Sequence, residues 1–365
     1  MPKIPQKKEG VFRILAFNPG STSTKFGIYD NEECIFIETV RHDAAKLAAY
    51  GSIPAQKEFR RDGMLKSLAE AGLDLKTLDA VAGRGGIIKP IPSGVYPINE
   101  RMLEDLHSSG AALHATCLGG IIASEIAGPL GIPCYIVDPV VVYEKDPVTV
   151  LSGLPEIERR SVFHALNQKA ISRRFAADQG KSYEELRLVV AHLGGGISVG
   201  AHRYGKVVDV NDALHGEGPF SPERSGGFAA MSLIDLCFSG KYSQAELKKK
   251  IAGEGGIKAY LGTSDVTEVI KRIDGGDEFA ALVLDSMLYQ VSKEIGSMVV
   301  ALDCELDAII LTGGLAYSER ICDAIKKRVG KLGAVHVYPG EDEIWALAGG
   351  VLRALQGKIQ PSEYT

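Results

Sequence analysis

Two glycine turns carry the residues best suited to handle phosphate. The first lies in ILAFNPGSTSTKFGIYD, residues 14–30, where Asn18, Ser21, Ser23 and Lys25 collect between two apolar runs. Backbone N–H groups, hydroxyls and one ammonium in a single turn are what phosphate oxygens accept. The second lies in LVVAHLGGGISVGAHRYGKVVDV, from Leu188, where His192 precedes Gly194, Gly195 and Gly196. The first is not a Walker loop, which has a second glycine before its lysine and a helix after it. Here Thr24 precedes Lys25 and a β-prone run follows. No GxGxxG opens a helix, so the dinucleotide fingerprint is absent. Standing alone, the first stretch has a plainer reading as a hairpin with a polar turn; its repetition favours the phosphate reading.

Further candidates sit at the ends of strand-like runs, where open α/β sheets place their ligands. Arg84 follows the run Ala80 to Ala82 with glycines around it, which leaves its guanidinium unobstructed; the alternative is a solvated surface charge. Asp138 ends the run Cys134 to Val137, and a carboxylate in an apolar run needs a partner, either an arginine or a hydrated metal. His164 lies near the start of a helix-like stretch, Ser161 to Phe175, where a structural role is the plainer reading. Arg224 belongs to a long polar loop, DVNDALHGEGPFSPERSGG, residues 209–227. Gly313 and Gly314 follow the run Ala308 to Leu311, and such a pair lets a flat ring lie on backbone or simply permits a tight helix entry. The two turns, Arg224 and the Gly313-Gly314 pair indicate a nucleotide in a cleft between two like halves. Asp138 and either Asp342 or Glu343 would hold Mg²⁺ through water. Arg84, Arg224 and His164 are more cation than a nucleotide needs, which points to a second anion.

The elements that must position these residues form two strand–turn–strand–strand units. Each turn is followed by a third strand-like run, Cys34 to Val40 in one and Val207 to Val210 in the other, as in a duplicated domain. Between and after them the spacing predicts helices at Met64 to Ala71, Glu100 to Leu106 and Asp277 to Leu302, and an apolar helix that follows His114 and reaches Ile126. A last helix, Ile344 to Leu355, is expected to pack back on the first half. After the first hairpin unit the chain reads as less regular up to Gly63. With 365 residues the chain is long enough for two domains, and its net charge of -5 argues against nucleic-acid binding. No apolar run approaches the roughly 18 residues of a membrane span, and MPKIPQKKEG lacks a signal-peptide core, so a cytoplasmic protein is expected. The six cysteines show no CxxC spacing and read mainly as buried reduced thiols.

NPGSTSTK (18–25), AHLGGGISVGAH (191–202), GEGPFSPERSGG (216–227) and TGGLA (312–316) together make the chain resemble the acetate and butyrate kinases of the actin-like ATPase superfamily, and the butyrate kinase branch most. The resemblance runs from about residue 12 to the C-terminus. It implies an α/β fold of duplicated actin-like (ribonuclease H-like) domains with the nucleotide cleft between them. One domain would be residues 1–165 with a C-terminal helix at about 344–365, and the other residues 166–343, which bind the nucleotide. It implies reversible, Mg²⁺-dependent transfer of a phosphoryl group between ATP and a short fatty acid, butyrate first, giving acyl phosphate and ADP. Asn18, Ser21, Ser23 and Lys25 match the first phosphate loop, with Asn18 also organising the metal. His192 to Gly196 match the second. Arg84 and Arg224 match the arginines that hold the carboxylate and the transferring phosphoryl group, and His164 the histidine that stabilises the transition state. Asp138 and the pair Asp342 and Glu343 match acidic positions at the metal. A homodimer or larger homo-oligomer follows from the same likeness.

Two positions depart from the acetate kinases. Their second loop reads HLGNG where this chain has Gly195, and a second histidine four residues beyond the catalytic one is here Gln168. Both fit the butyrate branch. A fatty-acid carboxylate is already ionised at neutral pH, so the chemistry asks for charge stabilisation rather than a base. Two rivals remain at this stage. A sugar kinase on the same fold would use Asp138 as its base, although a neutral acceptor leaves the extra arginines idle. An actin-like switch ATPase would use only the nucleotide site.

Overall fold

One strand order is built twice. The computed structural model describes residues 3–110 and 115–365, so His114 lies outside the described residues. The chain divides into a unit of residues 1–142 with 342–365 and a unit of residues 143–341. In the first, β1 (Arg13–Pro19), β2 (Ser23–Asp30) and β3 (Glu33–Arg41) form an antiparallel meander. β4 (Ala80–Gly83) joins β1 in parallel, β5 (Val95–Pro97) forms an antiparallel edge, and β6 (Cys134–Val137) lies between them, giving the order β3-β2-β1-β4-β6-β5. The second unit repeats this with β7 (Arg187–Leu193), β8 (Ile197–Arg203) and β9 (Lys206–Val210) antiparallel, and β10 (Ala308–Gly313) and β11 (Val335–Pro339) parallel, in the order β11-β10-β7-β8-β9. Read from the meander inwards, both sheets run third, second, first strand and then two parallel strands. Even an irregularity recurs, a register shift between Ile28 and Tyr29 in one copy and between Ala201 and His202 in the other.

Central strands are apolar throughout because both of their faces are covered. Ile14 to Phe17 on β1 and Leu188 to Ala191 on β7 are fully buried. In the first unit the helix Leu118–Ala127 packs on β4 and β6, and the helix Glu343–Leu355 packs on β1. In the second, Val283, Met287, Val291, Ile295 and Met298 make one buried face of the helix Glu278–Ala301, packed on β7 and β8. The helix Ala165–Asp178 packs on β7 and β10 through a separate cluster with Ile171, Phe175, Leu188 and Val190.

Three sequence expectations change. The helix predicted from Met64 begins at Lys57, because Arg60, which broke the apolar pattern, is itself 1% exposed and faces inward. The helix expected from Ser161 begins at Ala165, with His164 as its N-cap residue. Among the described residues no cysteine pair forms a disulfide, yet only Cys117 and Cys322 are buried; Cys34, Cys237 and Cys304 are exposed and Cys134 is half-buried. Cys34 lies on β3, whose outer positions face solvent, and Cys304 follows a helix end with φ of 60°.

Candidate active site

The first turn joins β1 to β2, and its carbonyls all point inward. Gly20 N–H donates to the Ser23 carbonyl at 2.8 Å, and His42 N–H to that of Thr22 at 2.8 Å. Arg60 takes the rest: Nη1 donates to Gly20 O at 2.8 Å and Ser23 O at 3.1 Å, and Nη2 to Ser21 O at 2.9 Å. Gln56 Oε1 accepts from its Nε and Nη2. Burial alone weakens the hold of this guanidinium on its proton. With these acceptors facing it, the cation stays paired, while Ser21 is exposed and Ser23 and Lys25 are half-buried. Sequence reading missed Arg60, which sits in a charged run, KEFRRD, with no motif of its own.

At the end of β1, Asn18 Nδ2 donates to the Glu343 carboxylate. Arg84, just beyond β4, contacts the same group, Nη2 to Oε1 at 3.2 Å. Arg84 is 3% exposed, which corrects the expectation of an unobstructed guanidinium. Its neighbouring glycines seat the chain directly on the backbone of Cys117 and Gly119 rather than clearing space for the side chain. Yet Arg84 Nε and Nη1 and Asn18 Oδ1 are buried without a hydrogen-bond partner among the described residues. An unpaired buried polar atom costs about 1–3 kcal/mol, more when charged, and such cost gathers where a ligand is to be held. Two free donors on a guanidinium suit an oxyanion. The Asn18 oxygen beside the Glu343 carboxylate suits a hard cation that keeps most of its waters. Among the described residues no three His, Cys, Asp or Glu side chains gather into a metal cage, in keeping with a cation held by few protein ligands.

Asp342 lies apart from this contact set and caps the last helix, Oδ1 accepting from Trp345 N at 3.2 Å. Asp138 is fully buried with φ of 37°. Its Oδ1 accepts from Gly94 N at 2.8 Å, and its own N–H donates to Gly94 O at 3.0 Å, a backbone partner the sequence did not offer.

In the second unit His192 holds the place on β7 that Asn18 holds on β1. Its Nδ1 meets Asn167 Oδ1 at 2.8 Å and its Nε2 meets Glu341 Oε1 at 3.0 Å. The His164 ring stacks on it with centroids 3.8 Å apart, and His164 Nδ1 meets Ser198 Oγ at 2.9 Å. Gly196 faces Arg224, whose guanidinium occupies the space a Cβ there would fill. Arg224 Nη1 donates to Ala213 O at 2.6 Å, and burial lowers the guanidinium's proton affinity while Glu223 and Asp212 raise it. Ser221 Oγ donates to Gly195 O at 2.5 Å, tying the polar loop to the glycine turn. Gly313 has φ of 90° and lies against the Leu193 carbonyl, where no side chain fits, while Gly314 borders open space.

Residues 156–336 match the acetokinase family. Butyrate kinase 1 of Clostridium acetobutylicum is 51% identical over 354 residues, 97% of this chain and all of the relative. Butyrate kinase 2 of the same organism is 50% identical over 353 residues, 97% of this chain and 99% of that relative. The chain belongs to the acetokinase family. It is therefore a carboxylate kinase that uses ATP and ADP. Among solved structures, acetate kinase from Porphyromonas gingivalis superposes with a TM-score of 0.77 at 20% identity, covering 94% of this chain and all of that one. A propionate kinase from Francisella tularensis superposes with a TM-score of 0.74 at 19% identity, covering 93% and 98%. These likenesses show the fold, the duplicated α/β arrangement of the actin-like ATPases.

Within this carboxylate kinase the predicted residues fall into two sets. The first unit gathers Asn18, Arg84 and Glu343; the second gathers His164 and His192, and Arg224 with Gly196. Asn167, Ser198 and Glu341 orient the two histidines. The sequence placed Ser198 beside the second glycine turn and Glu341 beside the acidic pair without a role for either, and nothing in it marked Asn167.

Proposed function

We propose that this kinase transfers the γ-phosphoryl group of ATP reversibly to the carboxylate of butyrate, giving butanoyl phosphate and ADP. The observation that carries the reading is Arg84, a buried guanidinium with two donor atoms unpaired among the described residues, in a chain about half identical to two butyrate kinases over 97% of its length.

The physics is that of bringing two anions together. A fatty acid with a pKa near 4 arrives ionised, so its oxygen attacks phosphorus without losing a proton, and the bond to the bridging oxygen of ADP breaks as the new one forms. Arg84 and Arg224 hold the carboxylate and the moving phosphoryl group, and His164 donates to the oxygens on which charge gathers. Ser21, Ser23 and Lys25 bind phosphate oxygens; His192, Gly194, Gly195, Gly196, Gly313 and Gly314 serve the nucleotide. Asn18 and Glu343 would hold Mg²⁺, with Asp138 through water, and the ion would neutralise phosphate charge. In this reading the enzyme works in the cytoplasm, and no helix among the described residues is long and apolar enough to cross a membrane.

The same reading makes the enzyme a homo-oligomer. The helix Ala230–Phe238 (AMSLIDLCF) is apolar and has no buried residue, with Met231 69% and Phe238 87% exposed. With Asp235 its one charge, a second copy of the same helix is the matching partner. Met231→Asp with Phe238→Asp should halve the mass seen by light scattering at least, and an unchanged mass would remove this surface from the assembly.

Run in reverse, the enzyme should form ATP from butanoyl phosphate and ADP, and Arg84→Ala should cut kcat by about 10²- to 10³-fold with folding intact. Full activity in that variant would discard the role given to Arg84.

A further inference from the structure

Four buried side chains of the second unit run in an unbroken hydrogen-bonded line to His164. Tyr183 OH meets His202 Nδ1 at 2.7 Å, and His202 Nε2 meets Gln168 Oε1 at 2.9 Å. Gln168 Nε2 donates to Ser198 O at 3.1 Å and Ser198 Oγ at 2.8 Å, and Ser198 Oγ meets His164 Nδ1 at 2.9 Å. Gln168, Ser198 and His202 are fully buried and Tyr183 is nearly so.

The proton positions follow from one fixed point. A backbone carbonyl only accepts, so the Gln168 atom facing Ser198 O is its nitrogen, and the oxygen is the atom that faces His202. His202 therefore donates from Nε2 and accepts at Nδ1 from Tyr183. Burial, with Lys169 and Arg173 nearby, drives its pKa well below the usual histidine value, in keeping with a neutral ring. At the other end, Ser198 Oγ accepts from Gln168 and, at 3.4 Å, from the backbone N–H of His164. Its single hydrogen is left for His164 Nδ1.

We propose that this relay fixes His164 as the tautomer that accepts at Nδ1 and carries its hydrogen on Nε2, so that Nε2–H is the donor offered to the transferring phosphoryl group. Gln168 and Ser198 are positioning residues. They act through His164 and touch neither substrate. The inference rests on the catalytic role assigned to His164 above, but its direct readout is independent of activity. Gln168 also takes on meaning here: a primary amide is a donor and an acceptor at fixed ends, so it transmits direction, which a histidine free to change tautomer at that place does not.

The test is ¹⁵N-histidine labelling of the whole enzyme, with long-range proton–nitrogen correlation and the His164 signals assigned by their loss in His164→Ala. The wild type should show His164 protonated on Nε2 alone. Ser198→Ala should admit the Nδ1–H tautomer and lower kcat roughly ten- to hundredfold, with KM for butyrate and ATP within about twofold. In the His164→Ala background, Ser198→Ala should lower kcat no further. A wild-type His164 protonated on Nδ1 overturns the proposal, as does a Ser198→Ala enzyme with unchanged tautomer and kcat. Should that variant fail to fold, the wild-type spectrum alone decides. If His164→Ala kept full activity while the wild type still showed Nε2–H, the relay would stand and the catalytic role of His164 would fall.

Discussion

Arg84 and Glu343 form an ion pair at 3.2 Å, and the same carboxylate accepts from Asn18, so one acid organises a guanidinium and an amide whose remaining polar atoms have no partner among the described residues. The side chains are far apart in sequence and come from a strand end, a glycine-flanked turn and a helix start. Their free valences have opposite character: two donors on Arg84 and one acceptor on Asn18. This is the pairing the proposed reaction asks for, an anion at Arg84 and a cation at Asn18.

Of the two acids left open by the sequence, this arrangement favours Glu343 for the metal. Glu343→Gln should raise the Mg²⁺ concentration needed for half-maximal activity by about 10- to 100-fold. Asp342→Ala should leave that concentration unchanged and lower stability by about 1 kcal/mol through the lost cap. Titrating activity with Mg²⁺, alongside thermal unfolding, separates them, and the opposite pattern would move the metal to Asp342.

Arg60 should matter through the turn it braces. Arg60→Ala leaves the carbonyls of Gly20 and Ser21 without their side-chain donor and that of Ser23 with the Gly20 N–H alone, so it should lower Tm and raise KM for ATP at least tenfold, with a smaller change in kcat. Arg60→Lys keeps the charge without the planar fork and should recover only part of the loss. Unaltered ATP kinetics in a folded Arg60→Ala enzyme would contradict the brace.

Glu294 supplies a pH-dependent prediction. Burial first, then Glu217 and Asp209, push its carboxyl pKa from 4.5 up to about 7. Between those values the folded state binds the proton more tightly than the unfolded one, so this group's contribution to stability falls as pH rises through that range. The full effect is on the order of 3 kcal/mol. Glu294→Gln should therefore stabilise the protein more at pH 8 than at pH 5. A Tm difference independent of pH would show that Glu294 titrates normally.

Much of this was legible in the sequence because it is local. The duplicated strand–turn–strand–strand pattern, the two glycine turns and the strand ends carrying Arg84 and Asp138 each lie within one short stretch. What escaped depends on partners brought in from afar. Arg60 reads as surface charge until the turn carbonyls close around it, and Ser198 reads as one hydroxyl on a strand until Gln168 and His164 flank it. Arg84 shows the converse: its glycines looked like clearance, whereas they permit backbone contact that buries it. The exposed Cys34, Cys237 and Cys304 show that an apolar neighbourhood in sequence does not decide which side of an element faces the core.

The central claim is the acceptor, and its most direct measurement is ATP- and Mg²⁺-dependent acyl phosphate formation, trapped with hydroxylamine, across acetate, propionate, butyrate, isobutyrate and valerate. One methylene in an apolar pocket is worth roughly 1 to 3 kcal/mol, which is resolved as a ten- to 200-fold step in kcat/KM. Butyrate should give the maximum. ADP release with no acyl phosphate from any of these acids would contradict it.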